Sequence, residues 1–197
     1  MRFLKSLALL ASLVAGPALA QQPATAPKAP DPQNTLVIEL KSGKVLIALR
    51  PDIAPKHVER VKQLAKDKFY DGIVWHRVIA GFMAQSGDPT GTGTGGSKYG
   101  NLKAEFTPTP FERGTVGAAR SQSPDSANSQ FFICFTHTPF LNGNYTVWGK
   151  VIDGMQHVDQ IAKGEPPANP DKIVRAYLLA DAAAGAAPAG AAPAQKK

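Results

Sequence analysis

The chain has 197 residues, enough for one domain of ordinary size with terminal extensions. Its formal net charge is +7, but the basic residues are scattered and never form the dense Lys/Arg runs of nucleic-acid-binding surfaces. This distribution predicts a solvated surface and no nucleic-acid partner. The only cysteine, Cys134, excludes an intrachain disulfide, and its apolar surroundings predict a buried, inert thiol.

The first 20 residues have the three parts of a secretory signal peptide. A basic start with Arg2 and Lys5 precedes an apolar run over residues 7–14, and Ala18-Leu19-Ala20 forms an Ala-x-Ala cleavage site. The apolar run is too short to span a bilayer. We therefore predict an exported chain that is cleaved after Ala20 and has no membrane association thereafter. The alternative is an ordinary hydrophobic terminal helix.

Two further segments differ in composition from the middle of the chain. Residues 21–34 are rich in Pro and Ala and lack apolar periodicity, which predicts an extended linker. Residues 181–197 are mainly Ala, Gly and Pro and end in two lysines, which predicts a disordered tail. The folded domain is therefore expected over residues 35–180.

A β-hairpin and a helix are predicted at the start of this domain. Residues 36–40 and 44–50 are apolar or alternating, and Ser42-Gly43 between them is a turn signal. Residues 55–69 repeat apolar side chains at helical spacing and begin with Pro55, which suits a first helical turn. The sequence therefore predicts one amphipathic helix after the hairpin.

The remainder of the domain is predicted to be mostly strand. Short β-like runs, separated by Gly, Pro, Asn and Ser, cover residues 73–79, 82–86, 114–119, 131–135, 145–151 and 173–179. A second helix is predicted over residues 155–162. Because every parallel crossover needs a helix, two helices are too few for a parallel sheet. The pattern predicts a mainly β fold, an antiparallel barrel of six to eight strands whose ends the helices cover.

The segment WHRVIAGFMAQSGD, which starts at Trp75, is the most indicative of function. Alternate side chains of an extended segment share a face, so Arg77 is predicted beside Trp75 and Ile79. By the same rule Gln85 lies on the side of Met83. An arginine and an amide among apolar side chains indicate a binding groove rather than a simple core.

Two nearby features extend this predicted groove. Phe82 follows a bend at Gly81, and the run over residues 129–135 supplies a further amide, Gln130, and further aromatic rings. The groove is therefore expected to combine one cation, two amides and an aromatic wall.

These motifs resemble those of the cyclophilin family of peptidyl-prolyl isomerases, and the resemblance covers nearly all of residues 35–180. His76-Arg77 matches the family's FHR-type motif, and Gly81-Phe82-Met83-Ala84-Gln85 matches its GFM-x-Q motif position for position. The resemblance implies a closed eight-stranded antiparallel barrel capped by two α-helices. It also implies isomerase activity without a cofactor, with proline-containing unfolded or extended polypeptides as partners.

The resemblance further implies roles for single residues. Rotation about an X-Pro bond must break amide resonance but needs no nucleophile, so a fixed donor to the pyramidal nitrogen can accelerate it. Arg77 is the predicted donor because its charge is constant. Phe82 and Gln85 are the other predicted catalytic residues. The predicted substrate-binding residues are Met83, Gln130, Phe132, Phe140, Leu141, Tyr145, Arg120 and Gly93.

Four positions differ from many cytosolic eukaryotic cyclophilins. Phe140 stands where they have tryptophan, and Tyr145 where they have histidine. The strip Ala119-Arg120-Ser121 replaces their Ala-Asn-Ala and is similar to the Ala-Arg-Thr of bacterial exported members. This similarity predicts a periplasmic location, and loss of the indole donor predicts weaker binding of cyclosporin-type ligands.

Other sequence patterns do not support dinucleotide binding, serine hydrolysis or a metal site. The run GTGTGG at residues 91–96 fits G-x-G-x-x-G, but no amphipathic helix follows it, as dinucleotide binding requires. No serine lies in a G-x-S-x-G elbow, and the histidines lack metal-ligand spacing, so no metal site is predicted. Two alternatives to an isomerase stay open: a proline-peptide binding module or holdase, and a basic polyanion-binding protein. A compact monomer is the simplest expectation for the oligomeric state.

Overall fold

The computed structural model describes residues 29–182. The signal peptide predicted over residues 1–20, most of the predicted linker and the tail beyond residue 182 lie outside the described residues. The strands are β1 (Thr35–Leu40), β2 (Gly43–Leu49), β3 (Arg77–Ile79), β4 (Met83–Ser86), β5 (Thr115–Ala118), β6 (Phe131–Cys134), β7 (Val147–Asp153) and β8 (Arg175–Leu178). The α-helices are α1 (Pro55–Lys66) and α2 (Met155–Asp159).

The predicted hairpin and both predicted helices are confirmed, although the helices are shorter than expected. β1 and β2 pair antiparallel through a turn that ends at Gly43. α1 ends at Lys66 rather than at residue 69, because the chain turns there and Lys68 adopts a left-handed φ of 55°. α2 ends at Asp159 instead of residue 162. Most of the predicted β-like runs are likewise observed as shorter strands.

All eight strands belong to one sheet in the order β3-β4-β6-β5-β7-β2-β1-β8, and every ladder is antiparallel. β3 and β8 are the edge strands, and no ladder joins them. The predicted closed barrel is therefore not confirmed, and the sheet is an open, curled half-barrel.

Isolated hydrogen bonds cross the opening instead of a ladder. The Gly72 amide donates to the Ile173 carbonyl at 2.7 Å, and the Ile173 amide donates to the Ile73 carbonyl at 2.9 Å. Residues 166, 167 and 170, which precede β8, are prolines without a backbone N–H. A continuous ladder cannot form along such a segment, which is the physical reason that the opening persists.

Two apolar clusters lie on opposite sides of β6. Phe131 belongs to the main cluster, where its ring meets Trp75 edge-to-face at 5.7 Å between centroids. Phe132 belongs to a second, smaller cluster with Met83 and Leu141. Successive residues of a strand point to opposite faces, so β6 separates the core of the domain from the surface that carries the candidate site.

The helices cover the main cluster. α1 packs against β7 and β8 and buries residues that include Val58, Val61 and Leu64, the stripe typical of an amphipathic helix. α2 packs against β2. Within the described part of the chain, neither helix is long and apolar enough to cross a membrane.

The chain before β1 differs from the extended linker that the sequence predicts. Pro32–Asn34 forms a 3-10 helix, and the Asp31 carboxylate accepts hydrogen bonds from the Gln33 amide at 3.0 Å and the Asn34 side chain at 2.7 Å. This turn contacts a second 3-10 helix, Leu179–Asp181, at the other end of the domain. Capping by Asp31 explains the turn, since a carboxylate that accepts from the backbone favours it over an extended segment.

Candidate functional site

The β3–β4 hairpin positions Arg77 and Gln85 side by side. The two residues are cross-strand partners, and Gly81 lies in the turn between the strands with a φ of +72°. Glycine adopts this left-handed conformation without steric cost. Because directly opposed residues of an antiparallel pair share a face, both side chains project to the same side as Met83.

Trp75 does not share this face, contrary to the sequence prediction. β3 begins only at Arg77, so strand alternation does not extend back to the tryptophan. The indole is instead fully buried in the main cluster. Ile79 does pack beside the second cluster, on the side expected for it.

Phe132 forms the centre of the aromatic wall. It pairs with Gln85 across β4 and β6, and its ring stacks on Phe111 at 5.6 Å and meets Tyr145 edge-to-face at 5.6 Å between centroids. A Cβ atom at Gly117 would lie 2.6 Å from the Phe132 ring and 2.7 Å from the Phe111 ring. Glycine on β5 therefore leaves the space in which both rings stack.

These side chains surround a cavity of about 110 Å³. Its lining residues are Arg77, Phe82, Met83, Gln85, Ala119, Arg120, Phe132, Leu141 and Tyr145. All but Ala119 are among the residues predicted from the sequence, so the structure brings most of the predicted site together. A small apolar ring can enter such a space with a guanidinium beside it.

A larger cavity of about 310 Å³ lies between the β1–β2 turn and α2. Its lining includes Lys41, His157 and Asp171, but it has no aromatic wall and no residue predicted to act in catalysis or binding. Because aromatic and polar groups converge only on the smaller of these two cavities, we take the smaller one as the candidate site.

Arg77 has unused donors at this cavity. Its Nε atom donates to Glu165 Oε2 at 2.8 Å. Within residues 29–182, neither Nη atom makes a hydrogen bond. Both Nη groups can therefore donate to a bound ligand.

Arg120 contributes to the cavity wall in a different way. Its guanidinium carbon lies 4.6 Å from the centroid of the Tyr145 ring, in a cation–π contact. Its N–H groups donate to the backbone carbonyls of Ser121, Gln122 and Asn144 at 2.9–3.1 Å. Arg120 is thus fixed against the protein, whereas Arg77 keeps donors for a ligand.

Three predicted binding residues lie outside the lining of the cavity. Phe140 is 66% exposed at the rim, with its ring 5.5 Å from that of Phe82. Gln130 accepts a hydrogen bond from Gln85 at 2.9 Å and donates to the Gly93 carbonyl at 3.0 Å. Gln130 and Gly93 therefore connect the glycine-rich loop, residues 91–96, to the cavity through Gln85.

Asp88 holds this loop in place. Its buried carboxylate accepts backbone hydrogen bonds from Thr90, Thr92, Gly93 and Gly95 at 2.6–3.1 Å. Burial alone would raise the pKa of Asp88, but these hydrogen bonds outweigh it and lower the pKa to about 2. The carboxylate is therefore ionised at all physiological pH values, and the loop stays anchored.

The described residues that line the cavity include no serine, threonine, cysteine or lysine. Cys134 is buried behind the cavity, as predicted, and burial raises the pKa of its thiol. Across residues 29–182, no group of three or more His, Cys, Asp or Glu side chains is placed to hold a metal ion. The cavity offers apolar and aromatic surface together with guanidinium and amide groups that can hydrogen-bond a ligand.

Sequence reasoning missed three residues at this site. Ala119 lines the cavity, Phe111 supports the Phe132 ring, and Glu165 holds Arg77 from 88 residues further along the chain. The position of Ala119 beside Arg120 was a usable signal. Nothing in the local pattern around Glu165 or Phe111 indicates these contacts, because they arise only when distant segments fold together.

The sequence profile of the family described as "Cyclophilin type peptidyl-prolyl cis-trans isomerase/CLD" matches residues 35–178. A probable peptidyl-prolyl cis-trans isomerase of Brucella suis biovar 1 is 50% identical over 197 residues, which cover 92% of this chain and 99% of that protein. A peptidyl-prolyl cis-trans isomerase of Helicobacter pylori is 40% identical over 132 residues, covering 65% of this chain and 80% of the relative.

Solved structures agree with these sequence matches. Cyclophilin AquaCyp293 from Hirschia baltica superposes with a TM-score of 0.72 at 27% identity, covering 78% of this chain and 77% of that one. A cyclophilin-type isomerase of Cryptosporidium parvum, crystallised in the presence of the dipeptide Ala-Pro, superposes with a TM-score of 0.68 at 32% identity, covering 73% and 98%. With its half-barrel and aromatic cavity, this chain belongs to the cyclophilin-type peptidyl-prolyl cis-trans isomerases.

Proposed function

We propose that the chain accelerates X-Pro rotation by holding the proline ring in the cavity while Arg77 donates to the amide nitrogen. The observation that carries the proposal is the pair of Arg77 Nη groups, which make no hydrogen bond within the described residues. They lie beside an apolar wall of Phe82, Met83, Phe132 and Leu141. The apolar wall suits the ring, and the donors suit the developing lone pair.

The reaction requires little more than an apolar pocket for the ring and a hydrogen-bond donor for the amide nitrogen. Amide resonance imposes a barrier of about 18–20 kcal/mol, and the nitrogen becomes pyramidal with a localised lone pair at the barrier. A donor that bonds this lone pair favours the twisted amide over the planar one, which lowers the barrier. Because a guanidinium stays protonated, Arg77 provides this donor without a proton-transfer step.

We propose proline-containing unfolded or extended polypeptides as substrates. The Cryptosporidium parvum relative was crystallised in the presence of Ala-Pro, which supports a proline peptide as the ligand class. The site is an open cavity with the exposed Phe140 ring at its rim, so a longer chain can run across it.

We further propose that the protein acts as a monomer in the periplasm, on exported proteins during their folding. The N-terminal pattern of basic residues, apolar run and Ala-x-Ala supports export. The similarity of Ala119-Arg120-Ser121 to the exported bacterial members supports the same location.

Arg77→Ala tests the mechanism. We expect kcat/KM in a protease-coupled proline-peptide assay to fall about 10²-fold, the usual effect of removing a donor to the transition state. Arg113→Ala is the matched control, because Arg113 is a comparably exposed arginine paired with Asp159 and lies outside the cavity lining. Circular dichroism checks that both variants fold.

Two outcomes would contradict the proposal. An Arg77→Ala variant with wild-type kcat/KM would remove Arg77 from the mechanism. A wild-type protein that binds proline peptides, measured by calorimetry, but shows no turnover would instead indicate a binding module.

A further inference from the structure

Glu165 is the only described residue that hydrogen-bonds the Arg77 side chain, and the mechanism above gives it no role. Its Oε2 atom lies 2.8 Å from Arg77 Nε, with side-chain exposures of 43% for Arg77 and 52% for Glu165. The contact engages Nε alone. It therefore restricts rotation of the guanidinium while leaving both Nη groups available to a ligand.

The backbone places Glu165 at this position. Gly164 and Val78 exchange two hydrogen bonds of 2.8 Å, which attach the segment after α2 to the edge of β3. Gly164 has a φ of +149°, and a Cβ atom there would lie 2.5 Å from Pro167 Cα. Glycine therefore allows the backbone to pass close to Pro167 at this position. The next residue, Glu165, then contacts Arg77.

The carboxylate has two opposing effects on Arg77. It orients the guanidinium, which favours catalysis because a small misplacement of a catalytic group slows the reaction strongly. It also reduces the positive potential at the cavity. Since the pair is about half exposed, solvent and salt screen the second effect, and we expect orientation to dominate.

We infer that Glu165 is a positioning residue that orients the Arg77 guanidinium toward the bound prolyl amide. The inference rests on the proposed function of Arg77. Glu165 does not touch the substrate in this scheme, so its effect is on the reaction step and not on binding.

The test compares Glu165→Ala with Glu165→Gln in an NMR exchange assay that separates kcat from KM. Glu165→Ala should lower kcat about fivefold, the effect expected of a half-exposed pair, and change KM less than about twofold. Glu165→Gln should recover most of the loss, because its amide oxygen still accepts from Nε. In an Arg77→Ala background, Glu165→Ala should cause no further loss.

Asp159→Ala is the matched control. It removes a carboxylate from the Arg113–Asp159 pair, whose side chains are 50% and 40% exposed, and should leave kcat unchanged. Unchanged or raised kcat in Glu165→Ala, or a further loss in the Arg77→Ala background, would overturn the inference. An active Arg77→Ala protein would instead overturn the proposed function, so the two failures are distinguishable.

Discussion

Phe140 meets the Phe82 ring at the rim of the cavity, and most of its surface is exposed. The phenyl ring offers apolar area but no hydrogen-bond donor, whereas tryptophan at this position would add an indole N–H. The cavity itself is lined by other residues. Exchanging phenylalanine for tryptophan should therefore change the affinity of a ligand that reaches the rim more than it changes the rate of amide rotation in the cavity.

Phe140→Trp should increase the affinity of a cyclosporin-type ligand about tenfold, the effect of one added hydrogen bond. The kcat/KM for a short proline peptide should change less than about twofold, because the side chain lies outside the cavity. Inhibition constants of wild type and variant, measured in the same peptide assay, check the expectation.

Phe106→Trp is the control for this substitution. Phe106 is another exposed phenylalanine and is not part of the cavity lining, so its replacement should leave inhibition unchanged. Equal potency against wild type and Phe140→Trp would contradict the prediction.

At the scale of elements, α1 receives its N-terminal cap from a distant loop. Ala54, at the cap position, offers no side-chain acceptor. The Glu105 carboxylate instead accepts from the amides of Lys56 and His57, both at 3.0 Å, and lies 2.6 Å from His57 Nδ1. Burial lowers the pKa of His57 despite the hydrogen bond to Glu105. The imidazole is therefore neutral at pH 7 and donates to an ionised carboxylate.

Glu105→Ala should lower the free energy of unfolding at pH 7 by about 1–3 kcal/mol, because it leaves helix-terminal donors without an acceptor. Burial would raise the pKa of Glu105, but its hydrogen bonds from His57 and the backbone lower it below the usual 4.5. The stabilisation is therefore complete above pH 4.5 and is lost as the pH falls through the folded-state pKa. Urea unfolding of both proteins at pH 7 and about pH 3 measures this difference.

Glu59→Ala serves as the control within the same helix. Glu59 pairs with Lys56 on the exposed surface of α1, so its loss should change stability by less than about 0.5 kcal/mol. A Glu105→Ala protein as stable as wild type at pH 7, or a difference that does not shrink in acid, would disprove the capping role.

At the scale of the whole molecule, one face of the sheet carries the main core and the other face carries the cavity. The main cluster under α1 and α2 provides the stability of a domain without a disulfide. The second cluster, around Phe132, leaves a cavity open to solvent. The half-barrel thus supports the site on a packed sheet, which keeps Arg77 and the aromatic wall in fixed relative positions.

The 197-residue chain, produced in a Gram-negative host, should be recovered from the periplasmic fraction with Gln21 as its first residue. The basic start, the apolar run and the Ala-x-Ala site are the physical basis of this expectation. Intact mass after cell fractionation measures both location and processing. Light scattering of the purified protein should give the mass of a monomer.

Leu10→Arg is the control for export. An arginine in the short apolar run should prevent export and leave the chain unprocessed in the cytoplasm. Recovery of the unaltered chain from the cytoplasm with Met1–Ala20 still attached would refute the periplasmic assignment.

Local pattern was sufficient for much of the fold. Alternation and turn residues predicted β1 and β2, and helical spacing predicted α1, because these elements depend on neighbours in the sequence. The motif from Trp75 to Gln85 contains four of the nine residues that line the cavity, and the family resemblance supplied four more. The error at Trp75 came from extending strand alternation beyond the true start of β3.

The sequence by itself determined most of the strands and both helices, and together with the family resemblance it named eight of the nine side chains that line the cavity. Only the tertiary structure decided that the sheet stays open, that Glu105 caps α1 and that Glu165 holds Arg77. Periodicity records which face of an element is apolar. It does not indicate which distant backbone group or carboxylate contacts that element, because such contacts depend on the tertiary fold of the whole chain.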